Sequence, residues 1–179
     1  MPILILNILL VLVLCGCAAK VKNGTGTFKS EKETVYNLDI NNDGKVDCLW
    51  AQDLSDPKNP KTIWRKDDLN FDGKFDIEQN FKFGKISDEK MDLDFDGIFD
   101  AYNQYIDGVL VKSEYALTAK NKTDLWIYYK DGKVIKKEID TKGKGKPDYF
   151  EFYENSKLDR IGIDYDLDGI IDRWEKKND

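Results

Sequence analysis

From Leu38 onward the chain alternates two textures: short runs in which apolar and polar positions trade places, and acidic phrases that are polar almost throughout. In "DLWIYYKDGKVIKKE" the alternation is that of a strand. Leu125, Ile127 and Tyr129 fall on one side, Trp126 and Tyr128 on the other, and aromatic and β-branched types suit a pleated strand. A turn splits each run. Phe81-Lys82-Phe83-Gly84, Tyr105-Ile106-Asp107-Gly108, Tyr129-Lys130-Asp131-Gly132 and Tyr153-Glu154-Asn155-Ser156 stand in register, and Ile86, Leu110, Val134 and Leu158 follow two places later. These are hairpin signals. Two helices do not fit, because only 16 residues separate the last aspartate of one phrase from the first of the next.

The acidic phrases "DINNDGKVD", "DLNFDGKFD", "DLDFDGIFD" and "DYDLDGIID" begin at Asp39, Asp68, Asp92 and Asp164. A worn copy, "DTKGKGKPD", begins at Asp140, and "ALTAKNKTD" fills the remaining gap from Ala116. The first interval is lengthened by "SDPKNP". Six units therefore start near 38, 67, 91, 115, 139 and 163 of a repeat domain spanning 35–179. The predicted fold is all-β: an antiparallel meander of about six 24-residue β-hairpin repeats joined by acidic loops. Tight turns would lie along one edge and acidic loops along the other, with neighbours stacking as in a solenoid. Two fates are open to the apolar faces. One is packing as the sheet curls, with rings in cross-strand contact. The other is an open face on which Trp126, Tyr128 and Trp174 stack against a glycan or meet a protein.

Carboxylates at alternate positions repel one another, and Asp and Asn are poor strand formers, so the phrases need a compensating role. One reading is turn chemistry alone, Asp and Gly being good turn residues. The other is a cage, in which alternate carboxylates turn inward on one point and the glycine supplies the bend, a geometry suited to Ca²⁺. The pattern resembles the calcium loops of EF-hands and of the DxDxDG repeats of dockerins and thrombospondin type 3 modules. The resemblance implies up to four Ca²⁺ sites. The last would use Asp164, Asp166, Asp168, the carbonyl of Ile170, Asp172 and, at the twelfth position, Glu175. The third would use Asp92, Asp94, Asp96 and Asp100, the second Asp68, Asn70, Asp72 and Asp76, and the first Asp39, Asn41, Asp43 and Asp47. At position twelve these three carry Asn103, Gln79 and Trp50, which implies weaker binding. In the unit at 140, Lys142 and Lys144 replace two ligands and are expected to neutralise Asp140 and Asp148 in place of a metal. Flanking helices are missing, so a groove-opening sensor of the calmodulin type is not expected.

Ahead of the repeats, residues 3–19 are apolar apart from Asn7, and none of the first 16 residues is charged. The stretch reads as a secretory signal or, at the short limit, as an uncleaved membrane helix. Leu14-Cys15-Gly16-Cys17 resembles a bacterial lipobox. That resemblance implies a signal peptide over 1–16, lipidation at Cys17, a polar tether over 17–34, and, with Ala18 after the cysteine, an outer-membrane address. On this reading only Cys48 remains as a free thiol. It is read as a small buried strand residue, the alternatives being an intermolecular link or a reactive thiol.

Histidine is absent, which removes the commonest general base and transition-metal ligand. The net charge of −6, from 34 acidic and 28 basic residues, argues against nucleic acid. Four Ca²⁺ would bring it to about +2. Every acidic pair falls in a loop of the repeat and no nucleophile–base pair is visible, so no enzyme is expected. The sequence points to a calcium-binding envelope lipoprotein with a structural, adhesive or assembly role. A carbohydrate-binding module is the alternative, and an envelope protein or glycan the expected partner besides the membrane.

Overall fold

The computed structural model describes residues 32–176, and the apolar leader, Cys17 and most of the tether lie outside the described residues. Twelve strands form one antiparallel sheet in sequence order: β1 (Glu33–Leu38), β2 (Cys48–Asp53), β3 (Lys61–Asp67), β4 (Ile77–Lys82), β5 (Lys85–Met91), β6 (Ala101–Ile106), β7 (Val109–Tyr115), β8 (Leu125–Lys130), β9 (Lys133–Ile139), β10 (Tyr149–Glu154), β11 (Lys157–Ile163) and β12 (Arg173–Lys176). The meander of hairpins is thus as the periodicity predicts. Five units complete a hairpin, and the sixth contributes its loop and β12. The sheet begins at Glu33, two residues inside the segment assigned to the tether.

Four of the five hairpins close through two residues that both have positive φ: Phe83-Gly84, Asp107-Gly108, Asp131-Gly132 and Asn155-Ser156. This is the turn whose twist matches paired strands. Each hairpin also slips by one residue just before its turn, as between Gln104 and Tyr105, a bulge that adds local twist. The β2–β3 connection is the longer "LSDPKNP" segment. All acidic loops consequently share one edge of the sheet and all turns the other.

Packing differs from the curled sheet that two apolar faces suggest. Each strand touches only its neighbours in sequence, so among the described residues the sheet is a single layer. The fully buried apolar side chains are small ones, Cys48, Ala51, Ala101 and Ala116, together with Phe150. Rows of cross-strand contacts run along each face in place of a core, each pair contributing roughly 0.2–1 kcal/mol. On the face of Ile127, Gln79 and Asn103 donate amide hydrogens to Glu89 at 2.7 and 2.8 Å, the Tyr105 hydroxyl donates to Glu89, and Ser113 donates to Asn103 at 2.6 Å. On the face of Trp126, lysines lie over rings: Lys112 and Lys136 over Tyr128, and Arg160 over Phe152 and Trp174. Their aliphatic stems cover apolar surface while their charges stay in water.

The residue at the eighth loop position folds back onto this second face. Phe75 lies under the Lys66 ammonium and Phe99 under that of Lys90. Ile171 presses on Gly162, where a Cβ would stand 2.7 Å from the isoleucine Cδ1. At the fourth loop the equivalent residue is Thr123, and a recess of about 260 Å³ opens among Tyr102, Glu114, Ala116, Asn121 and Thr123.

Candidate metal centre

The acidic loops share one backbone. At the fourth position Asn42, Phe71, Phe95, Gly143 and Leu167 have φ of 62–65°, and at the sixth Gly44, Gly73, Gly97, Gly145 and Gly169 have φ of 82–94°. Two left-handed residues so close together coil the chain tightly, which glycine at the sixth position permits at low cost. The coil turns backbone N–H groups inward, and the first and ninth aspartates receive them. Asp68 accepts from Phe71 and Gly73 at 2.8 and 2.7 Å, and Asp164 from Leu167 and Gly169 at 2.7 and 2.9 Å. From the other side Asp76 accepts from Leu69 at 2.6 Å and Asp172 from Tyr165 at 2.7 Å. The fifth-position carboxylates accept from the seventh residue, as Asp43 does from Lys45 and Asp168 from Ile170.

Nearly all of these first and ninth aspartates are buried, Asp39 and Asp172 excepted. The loops stack through the backbone: Asp68 donates to the carbonyl of Asp47, Asp92 to Asp76, Ala116 to Asp100, Asp140 to Asp124 and Asp164 to Asp148. Hydrogen bonding to a carboxylate favours ionisation, burial opposes it, and the balance differs between loops. At Asp164 burial works against the charge but is outweighed by the N–H groups of Gly169 and Leu167, so the carboxyl sits below its ordinary value. At Asp76 burial wins with help from the charges of Asp68 and Asp92, and the carboxyl sits above it.

Carboxylate oxygens of Asp92, Asp94 and Asp100 lie within 4.8 Å of one another, as do those of Asp164, Asp166 and Asp172. These are the first, third and ninth positions of the third and sixth loops. Asp96, Asp168 and Glu175 stand outside these groups. Asp96 is held by the Lys120 ammonium of the next loop. Glu175 lies on β12, where its carboxylate meets the Arg173 guanidinium at 2.8 Å. In the first two loops the same positions are Asp39, Asn41, Asp47 and Asp68, Asn70, Asp76, with an amide in place of the third-position carboxylate. Asp43 and Asp72 complete those loops as their fifth residues. Asn103, Gln79 and Trp50, at the twelfth position, are all strand residues.

The donor set fits a hard divalent cation. It consists of oxygen alone, and in the first loop Oδ1 of the buried Asp47 has no hydrogen-bond partner while Oδ2 accepts from Ile40 and Asn41. A buried unpaired carboxylate oxygen carries an unmet desolvation cost, which a bound cation would offset. Oxygen ligands in this number suit Ca²⁺ better than Zn²⁺.

In the fifth loop lysine does stand beside the aspartates, though not quite as the sequence suggests. The Lys142 ammonium lies 3.5 Å from Asp148, and that of Lys122, from the preceding loop, 4.0 Å from Asp140. Lys144 serves Asp140 through its backbone N–H. Reaching into the following loop is a recurrent habit of the seventh residue: Lys45 donates to the carbonyl of Asp72, Lys122 to that of Gly143 and Lys146 to that of Leu167. Sequence reading missed these inter-loop bridges, whose only signal is a lysine recurring at loop position seven.

Cys48 is buried at the start of β2, and burial together with the nearby Asp67 pushes its thiol up to about 12. A thiol so protonated is a packing residue rather than a nucleophile. Of the three rings considered for an open face, Trp126 and Tyr128 are half-buried, whereas Trp174 is 51% exposed, its ring centroid 5.3 Å from that of Phe152.

No family model and no curated protein matches the chain. Among solved structures it is similar to accessory secretory proteins 1, 2 and 3 of Streptococcus pneumoniae, with 17% identity and a TM-score of 0.38, over 52% of this chain and 17% of that one. So slight a likeness bears on neither fold nor function.

Proposed function

We propose that the protein is a calcium-binding, lipid-anchored component of a bacterial envelope, with a structural, adhesive or assembly role. The observation that carries the calcium half is the convergence of three carboxylates in each of two equivalent loops, Asp92–Asp94–Asp100 and Asp164–Asp166–Asp172. Those residues, with Asp39, Asn41, Asp47, Asp68, Asn70 and Asp76 at the matching positions, would hold the ion. Bound Ca²⁺ supplies charge neutralisation and cross-linking of a loop rather than chemistry. The protein's own side chains do the rest: they fix the coil, exclude water from the first and ninth carboxylates, and pass load from loop to loop through the Asp-to-Asp backbone bonds. A rigid, thin sheet standing off a membrane suits a spacer or docking surface, and no catalytic step is assigned to it.

Calorimetry on the full chain tests the metal. Ca²⁺ should bind more tightly than Mg²⁺, which demands a smaller octahedral cage, and more tightly than Zn²⁺. Tighter binding of Zn²⁺ would overturn the assignment. The anchoring half rests on Cys17, and labelling with radioactive palmitate tests it. Cys17→Ser should abolish incorporation, and equal labelling of variant and wild type would refute the lipid anchor.

A further inference from the structure

The two outer strands of the sheet are complementary halves of one repeat. β1 runs into an acidic loop, as β3, β5, β7, β9 and β11 do, and β12 leaves one, as β2, β4, β6, β8 and β10 do. Every hairpin inside the sheet joins one strand of each kind. Among the described residues, the outer edges of β12 and β1 pair with nothing, and the backbone bonds at the loop edge stop in matching fashion. The carbonyls of Asp47, Asp76, Asp100, Asp124 and Asp148 each accept from the first residue of the next loop, while that of Asp172 accepts from none and the N–H of Asp39 donates to none. Side chains tell the same story. The ninth-position aspartates of the inner loops are buried, yet Asp172 is exposed, as are Ile170 (69%) and Trp174 (51%).

From this we infer that the protein associates head to tail, β12 of one copy pairing antiparallel with β1 of another to complete a hairpin split between them. The occupant is a second copy of this chain because the phase fits. Placing β1 beside β12 continues the register of the inner hairpins, sets loop 39–47 next to loop 164–172, and brings the Asp39 N–H to the Asp172 carbonyl. In that register Trp174 faces Asn37 of the partner copy as Phe150 faces Gly162 and Trp126 faces Glu138 within a chain. Charge favours the same choice. β1 carries Glu33 alone, whereas β12 carries Arg173 and Lys176 against Glu175, so unlike edges attract and β12 repels its own kind. Edges left open in this way are a recognised route to strand pairing between chains, and a heterologous contact of this sort builds rings or filaments rather than closed dimers. The association needs no metal.

Cysteine cross-linking of the full chain tests it, because twelve strands at ~4.8 Å spacing hold β1 and β12 of one chain about 50 Å apart. An equimolar mixture of Asn37→Cys and Trp174→Cys should give a disulfide-linked dimer well above the parental background. Neither variant alone should, and the double variant should give a ladder. Tyr36→Cys, whose side chain points to the other face, should not link to Trp174→Cys. Alternation also places the N–H of Val35 on the outer side of β1, so Val35→Pro should leave the monomer folded and abolish association in sedimentation. Absence of the mixed dimer, or self-linking of Asn37→Cys as strong as the mixed reaction, would overturn the proposal.

Discussion

Asp164 and Asp166 stand two residues apart in one loop and have different duties. Asp164 is buried and accepts the N–H groups of Leu167 and Gly169; Asp166 is exposed and accepts one long bond, from Asp168 at 3.2 Å. Removing Asp164 therefore damages the apo fold as well as the cage, leaving donors unmet at a cost of about 1–3 kcal/mol. Asp166 is the cleaner probe of metal binding. Asp166→Asn should leave the melting temperature in EDTA unchanged or slightly raised, since it relieves repulsion among three carboxylates, and should lower it in Ca²⁺. The buried Asp140 predicts an acid response of its own. Burial opposes its charge, but the N–H groups of Lys144 and Gly145 and the Lys122 ammonium outweigh it, and its carboxyl sits below the ordinary value. A depressed carboxyl stabilises the fold above the unfolded value of about 3.9, and that contribution disappears as pH falls through the folded value. Thermal melts between about pH 5 and pH 2 should show wild type losing stability more steeply than Asp140→Asn; parallel curves would contradict the account.

Between the loop and its strand the decisive contact is Ile171 on Gly162. A methyl at Gly162 would meet the isoleucine at 2.7 Å, so Gly162→Ala should destabilise the protein by roughly 1–3 kcal/mol, as overpacking does. Adding Ile171→Ala should restore most of that loss in denaturant unfolding, and failure of the rescue would refute the packing assigned to loop position eight. The loop-to-loop lysines make a second prediction at this scale. Lys120 engages Asp96, the fifth residue of the third loop, so a cation entering that loop competes with an ammonium already beside it. Lys120→Met should tighten Ca²⁺ binding there several-fold in calorimetry, and unchanged affinity would show that the pair does not compete with metal. The strands, turns and loop phase were legible in the sequence because each rests on local signals, such as the alternation in "DLWIYY" or the glycine of Asp131-Gly132. Contacts such as Lys120–Asp96 or Lys122–Asp140 were not, because they join residues in successive repeats and depend on side-chain reach across the stack. The twelfth loop position misled for a geometric reason. After Asp172 the chain leaves as a strand rising about 3.3 Å per residue, which carries Glu175 away from the cage and beside Arg173.

As a whole the molecule is a sheet without a second layer, so its stability is a sum of neighbour contacts rather than the yield of one core. The apolar rows on both faces made a curled, packed sheet the natural expectation. The lysine stems over Tyr128 and Phe152 and the polar row around Glu89 explain how single-layer faces persist in water instead. In such an array the loop edge, where buried carboxylates crowd, is where a bound ion adds most. By linkage, Ca²⁺ at 100 times its Kd contributes about 2.7 kcal/mol per site, while loops of the extracellular kind bind at roughly 10⁻⁴–10⁻³ M, so several coupled sites are needed for a large shift. The most direct test is the melting temperature of the full chain in excess millimolar Ca²⁺ and in EDTA, measured for wild type, Asp166→Asn and Asp140→Asn. The account predicts a higher value in Ca²⁺ for wild type, a smaller difference for Asp166→Asn and an undiminished one for Asp140→Asn. Equal melting of wild type in Ca²⁺ and EDTA would contradict it and leave the acidic phrases as turns.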